Sequence, residues 1–153
     1  MLADMKIRPF QPSDFAVIAS IYAISKLDEL RHEEQQFELL PLEQDEKRLR
    51  GLMESQIYVY DDGGILGYGA VYGKEIRALF VHPLARAKGI GRSLLEYLLA
   101  RAEGPACLYV AKTNSPAKAL YRRYGFTVTR EFQTDYNRRS VAANEMVHTV
   151  VHG

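Results

Sequence analysis

"EIRALFVHPLARAKGIGRSLLEYLL" occupies residues 75–99, and its reading decides the fold. "EIRALFV" follows a turn at Gly73-Lys74 and reads as a strand that ends at His82-Pro83. Leu94, Leu95, Leu98, Leu99 and Ala102 then mark an amphipathic helix that stops at Gly104-Pro105. Between the two lies "RAKGIGRS", residues 86–93, where Gly89 and Gly91 are ringed by Arg86, Lys88 and Arg92. A glycine turn entering a helix leaves backbone N–H groups uncovered where the helix dipole favours negative charge. The turn is a candidate anion cradle, and a pyrophosphate is its natural guest. A Walker A loop is excluded, because Leu84 stands where its first glycine would be. A dinucleotide fingerprint is excluded too, because Leu94 stands in place of its third glycine. The alternative is a connection whose glycines only allow tight packing.

Working outward, "MKIRPF" reads as an edge strand, and Ser13 or Asp14 can cap a helix with Phe15, Ile18, Ala19, Tyr22 and Ala23 on its apolar face. The helical pattern runs on, acidic, through "KLDELRHEEQQF" and breaks before Pro41. A second helix is expected over "LEQDEKRLRGLMES". "QIYVY" and "ILGYGAVYG" are strands joined by the hairpin turn "DDGG". Beyond residue 104, "ACLYVA" reads as a strand buried on both faces. Asn114 or Ser115 caps the next helix, with Pro116 in its first turn, and Gly125 stops it. "FTVTREF" and "NEMVHTVV" are the last strands, joined by the polar loop "QTDYNRRSVAA". This order of elements predicts one α/β domain with helices on both faces of a central sheet.

The 153 residues suit a single globular domain, with 47% hydrophobic and 25% charged side chains. No stretch is long and apolar enough for a spanning helix or a signal peptide, so a cytoplasmic protein with no membrane association is expected. The lone Cys107 forms no internal disulfide and reads as a buried small hydrophobe. His32, His82, His148 and His152 show no metal spacing, and no metal is expected. Net charge is only +1, but residues 1–62 carry seven Lys/Arg against thirteen Asp/Glu, and residues 84–124 carry eight against two. That asymmetry suits one anionic and one cationic partner, or simply two solvated faces. Nucleic acid is not expected, because no aromatic-interleaved basic patch accompanies Arg122-Arg123 or Arg138-Arg139.

The turn with its strand and helix, followed by "NSPAKALYRRYGF", resembles the GNAT superfamily of acyl-CoA-dependent N-acetyltransferases. The likeness rests on the V-x-P strand end, Arg86-Ala-Lys-Gly89-Ile-Gly91, and then Asn114, Ala117, Leu120, Tyr121, Gly125 and Phe126, and it covers residues 75–126. It implies a GNAT-like sheet of about seven strands, mixed and mostly antiparallel, over a domain spanning 1–153. It also implies an acetyl-CoA site. The backbone of Leu79, Phe80 and Val81 would pair with the pantetheine arm as an added strand would. N–H groups of Ala87, Lys88, Gly89, Ile90, Gly91 and Arg92, flanked by Arg86 and Ser93, would hold the pyrophosphate. Asn114 would hydrogen-bond the pantetheine.

Acetyl transfer needs a neutral amine, although an alkylamine with a pKa near ~10 is protonated at neutral pH, and a donor for the departing sulfur. The resemblance makes Tyr121, which would also contact the cofactor, the general acid. A core position on the face shared by Ala117, Leu120 and Tyr124 is the alternative. Glu75, six residues before Val81, is the candidate base, with an exposed turn acid as the alternative. Some relatives place a base five residues before the motif asparagine, but Tyr109 stands there. Asp28, Glu29, Glu33 and Glu34 lie where the family frames its acceptor and would suit a small cationic amine or a protein amine. A non-catalytic acyl-CoA-binding or sensing module of the same fold is the competing function. The sequence leaves a homodimer open.

Overall fold

The computed structural model describes residues 6–149, in which seven strands form one sheet in the order β1–β2–β3–β4–β5–β7–β6. The strands are β1 (Ile7–Pro9), β2 (Gln56–Asp61), β3 (Ile65–Tyr72), β4 (Glu75–Val81), β5 (Cys107–Ala111), β6 (Phe126–Tyr136) and β7 (Arg139–His148). The helices are α1 (Phe15–Leu30), α2 (Glu46–Met53), α3 (Ile90–Leu99) and α4 (Ser115–Arg123). The sheet is mixed, since β4 and β5 are parallel and every other pair is antiparallel. The outer ends of the two terminal strand motifs, Met5 and Val150-Val151, and His152 lie outside the described residues. Among the described residues no helix is long and apolar enough to cross a membrane.

Side-chain parity along β2–β4 sorts the helices onto two faces. Ile57, Val59, Tyr68, Ala70 and Ala78 pack with Ile18, Ile21 and Tyr22 of α1 and Leu52 of α2. Val71 and Ile76 pack on the opposite side with Leu95 and Leu98 of α3. The glycines of β3 let α3 approach that closely. A Cβ on Gly67 would lie 2.9 Å from the Phe80 carbonyl oxygen and 3.2 Å from Leu94 Cδ1. Gly67→Ala is therefore expected to destabilise the fold by about 1–3 kcal/mol through overpacking, read as a lowered Tm in thermal unfolding.

Four sequence expectations change. Helix α1 ends at Leu30, because the chain beyond it is drawn across to the β6–β7 hairpin. Gln35 Nε2 donates to the Ser140 carbonyl (3.0 Å), Asn137 Nδ2 to the Glu38 carbonyl (3.0 Å), and the Leu40 N–H to the Tyr136 hydroxyl (2.8 Å). The second helix begins only at Glu46, where Asp45 Oδ1 accepts the Arg48 N–H as its N-cap. The expected polar loop is instead a two-residue hairpin, with Asn137 and Arg138 at φ 47° and 69°, extending both strands. Finally, β5 is buried on one face only. Leu108 and Val110 join the core, whereas Tyr109 is 46% exposed and Cys107 is half-buried.

The half-bare face of β5 has a topological cause. β4 and β5 are in register at one position, Glu75 opposite Cys107, and then diverge. The C-terminal half of β4 therefore keeps a free edge beside β5. A groove opens there, lined by the end of α1 on one side and by Tyr109, Phe132 and Val141 of β5, β6 and β7 on the other.

Candidate active site

The turn after β4 is built to expose N–H groups. His82 Nδ1 accepts the Leu84 N–H (3.1 Å), and the Arg86 N–H closes a short 3-10 turn onto the Pro83 carbonyl. Ala87 and Gly89 then take positive φ, 67° and 79°, and α3 starts at Ile90. A left-handed alanine is a strained residue held by its surroundings, and such strain collects at ligand sites. The first helical bond from this turn is the Ser93 N–H to the Gly89 carbonyl (3.0 Å). Ala87, Lys88, Gly89, Ile90, Gly91 and Arg92 thus present six consecutive N–H groups with no backbone acceptor among the described residues. Ser93, the last of the expected set, spends its N–H inside the helix and lies outside the lining of the cavity beside this turn.

These groups face a cavity of about 730 Å³ whose other walls are Leu79, Phe80 and Val81 of β4 and one face of α4. Arg86, Lys88 and Arg92 line it as expected. Arg123 lines it as well, which the sequence reading missed; it follows Ala117 and Leu120 at helical spacing, and that spacing was the available signal. Arg86 is held by Asp28 of α1, and this guanidinium keeps the Asp28 carboxyl below the usual carboxylate range. Of the β4 edge, the Val81 carbonyl already accepts from the Ser25 hydroxyl (3.3 Å).

The two glycines have different tasks. Gly89 supplies the left-handed conformation. Gly91 does not, and a Cβ there would make ordinary contacts with Val81 Cγ2 (3.7 Å) and Leu120 Cδ2 (3.8 Å), both residues of the cavity wall. Gly91→Val should therefore fold, yet fill ligand space and weaken coenzyme A binding at least about tenfold by calorimetric titration. Unchanged affinity would mean that the glycine serves packing alone.

Asn114 caps α4, its Oδ1 accepting the Ala117 N–H (3.3 Å). It lines both the 730 Å³ cavity and a groove of about 590 Å³ along the divergence of β4 and β5. Tyr121 lines both as well. It is 8% exposed, and no hydrogen bond to its hydroxyl occurs among the described residues. Burial, reinforced by the Glu29 carboxylate, pushes its pKa well above the ordinary phenol value, so it stays protonated at neutral pH.

Glu75 lies away from the cofactor cavity. It lines the groove and a further cavity of about 1070 Å³ between α2 and the β6–β7 hairpin. Glu75 and Arg77, two apart on β4, share a side of the sheet. A bulge leaves Arg77 unpaired, since Ala70 pairs with Ala78 and Val71 with Ile76, and brings Ala78 to the α1 side while Ile76 faces α3. Arg77 Nε donates to Glu75 Oε1 (3.2 Å), while Nη1 bonds the Gly51 carbonyl (2.9 Å) and Glu54.

The acidic cluster does not act as one surface. Asp28 is taken by Arg86 and Arg31, Glu33 by the Thr113 hydroxyl, and Glu34 is exposed and lines none of the three cavities. Only Glu29 lines both the cofactor cavity and the groove. Tyr109 faces the groove, and burial with its Glu145 neighbour raises its pKa.

This arrangement can hold a pyrophosphate at the turn, an extended arm along the free β4 edge, and a second molecule in the groove. Residues 53–128 match a family described as the acetyltransferase (GNAT) domain. A peptidyl-lysine N-acetyltransferase of Salmonella typhimurium is 33% identical over 79 residues, 52% of this chain and 54% of that protein. The chain thus spans about half the length of this curated relative. Among solved structures, a GCN5-related N-acetyltransferase from Rhodopseudomonas palustris superposes with a TM-score of 0.78 over 94% of each chain at 20% identity. An acetyltransferase of Salmonella typhimurium solved with acetyl-CoA gives 0.68 over 92% of this chain and 91% of its own, at 23% identity. On the matched domain and the shared fold, the chain belongs to the GNAT superfamily.

Proposed function

We propose that the chain transfers the acetyl group of acetyl-CoA to a small primary amine by direct attack. The six uncommitted N–H groups and three cations of the turn, with Arg123 of α4 facing them, suit the pyrophosphate of coenzyme A, and the free β4 edge suits its pantetheine arm. The bound cosubstrate supplies the acyl group and a thiol leaving group. Tyr121 acts as the general acid, donating from its hydroxyl toward the sulfur. Glu75 acts as the base on the incoming amine, through the carboxylate oxygen that Arg77 leaves uncommitted. The observation that carries this reading is the position of Tyr121, which belongs to the cofactor cavity and to the groove alike. The groove is walled by the end of α1 with Glu33 and by Thr134, Asp135 and Tyr136 of the hairpin, which favours a small acceptor over a folded protein surface. The single unpaired cysteine fits action in the reducing cytoplasm.

The test is an amine panel with acetyl-CoA, reading release of free thiol. Turnover that depends on both the amine and Tyr121 is expected. Tight acetyl-CoA binding with no amine-dependent thiol release would favour the sensing module instead.

A further inference from the structure

Two side-chain atoms are buried with no well-formed hydrogen bond among the described residues, Arg48 Nε and the Tyr22 hydroxyl, the latter beside the Tyr136 hydroxyl. They are neighbours, with the Arg48 guanidinium carbon 5.2 Å from the Tyr22 ring centroid. Both line the 1070 Å³ cavity, and Arg48 also lines the groove that leads to Tyr121. Buried donors are nearly always satisfied in folded proteins, so a guanidinium with a poorly satisfied Nε and its terminal nitrogens on a cavity wall is a cation in want of an anionic partner.

The contrast with Arg77 sharpens the point. Arg77 lines the same cavity, but a carbonyl and two carboxylates take up its guanidinium. Arg48 has only Asp45 near it, 3.5 Å from Nε and without hydrogen-bond geometry, and the other Asp45 oxygen caps α2. Its side chain is 37% exposed although Nε is buried, so the guanidinium reaches the cavity. Lys26 lies at the groove too, 4.6 Å over the Tyr136 ring, but its ammonium is paired with Glu29 (3.5 Å).

We propose that Arg48, held over the Tyr22 ring, forms a carboxylate subsite, and that the acceptor is a small amino carboxylate. This rests on the acetyl-transfer reading and names its substrate class. The two terminal nitrogens of the guanidinium, the part of Arg48 that reaches the cavity, match the two oxygens of a carboxylate. The Tyr22 ring meets the Phe80 ring edge-on at 5.4 Å, and Phe80 lines all three cavities from the β4 edge. A carboxylate on Arg48 is thus two ring contacts from the cofactor edge, a span suited to an amine on the same small molecule. Glu29 and Glu75, both in the groove and each paired through one oxygen with Lys26 or Arg77, keep a second carboxylate oxygen for its ammonium.

The experiment titrates the coenzyme A-loaded protein calorimetrically with L-amino acids, β-alanine and γ-aminobutyrate, each against its amide. At least one acid is expected to bind about tenfold or more tightly than its amide, and Arg48→Met should remove that preference. Arg48→Lys, which keeps the charge but loses the paired donors, should reduce it and gives a second reading should Arg48→Met fail to fold. Equal binding of every acid and its amide, or a preference that survives Arg48→Met, would overturn the subsite. Free thiol release from acetyl-CoA on the same pairs separates the two readings. The carboxylate favours the charged amine, so faster turnover of the acid would run against intrinsic reactivity and support the subsite. Acid-selective binding with no thiol release would overturn acetyl transfer and leave the subsite standing. Thiol release equal for acids and amides would do the reverse.

Discussion

Tyr121→Phe is expected to lower kcat by about 100-fold or more while leaving acetyl-CoA affinity nearly unchanged. The ring packs with Phe126, centroids 5.8 Å apart, and phenylalanine keeps that contact. What is lost is the one proton that this side chain brings to the junction of cofactor cavity and groove. Burial raises the Tyr121 pKa above that of a thiol, so the hydroxyl serves best as a hydrogen-bond donor to charge growing on sulfur. The sign of that shift also makes a pH statement. The donor is present below its pKa and lost above it, so wild-type kcat should not fall through Tyr121 ionisation until the pH exceeds the ordinary phenol value near ~10. Single-turnover rates and equilibrium binding on wild type and variant check both points. Intact activity with a lowered Tm would make Tyr121 a core residue only.

The parts of this site that the sequence made legible are those in which neighbours along the chain also act together. Residues 87–92 present their N–H groups through their own backbone, so two glycines and a following leucine pattern point to that turn. Asn114 and Tyr121 sit one helix apart, and their spacing carries their meaning. The illegible parts are long-range. No local signal ends α1 at Leu30, since the partners that draw the next segment away, Tyr136, Asn137 and Ser140, lie about a hundred residues on. The Asn137-Arg138 turn lacks the glycine that marks most two-residue hairpins, so its left-handed residues were hidden. The acidic cluster misled for the same reason. Asp28 looks available in sequence, but its counter-ion Arg86 arrives from the other end of β4. Arg48 reads as one charge on an exposed helix, and only the fold reveals that its Nε is buried against Tyr22.

Glu75→Gln separates a carboxylate base from deprotonation by water. The substitution keeps the shape and can still accept from Arg77 Nε, so the bulge and its bonds to Gly51 and Glu54 should persist. It cannot take a proton at neutral pH. With one identified amine, kcat/KM at pH 7 should fall about 10- to 100-fold and recover partly as pH rises, because more of the acceptor becomes neutral unaided. Acetyl-CoA affinity should hold, since Glu75 lies outside the cofactor cavity. Three outcomes of the pH–rate profile have different meanings. A loss that shrinks toward high pH assigns Glu75 to proton removal. A uniform loss at every pH assigns it to holding the acceptor's ammonium, with Arg77 fixing its position. Superimposable profiles would remove Glu75 from the reaction. Deprotonation would then fall to ordered water beside Tyr109 in the groove, a shift that Tyr109→Phe would expose as a lowered rate with the same pH dependence.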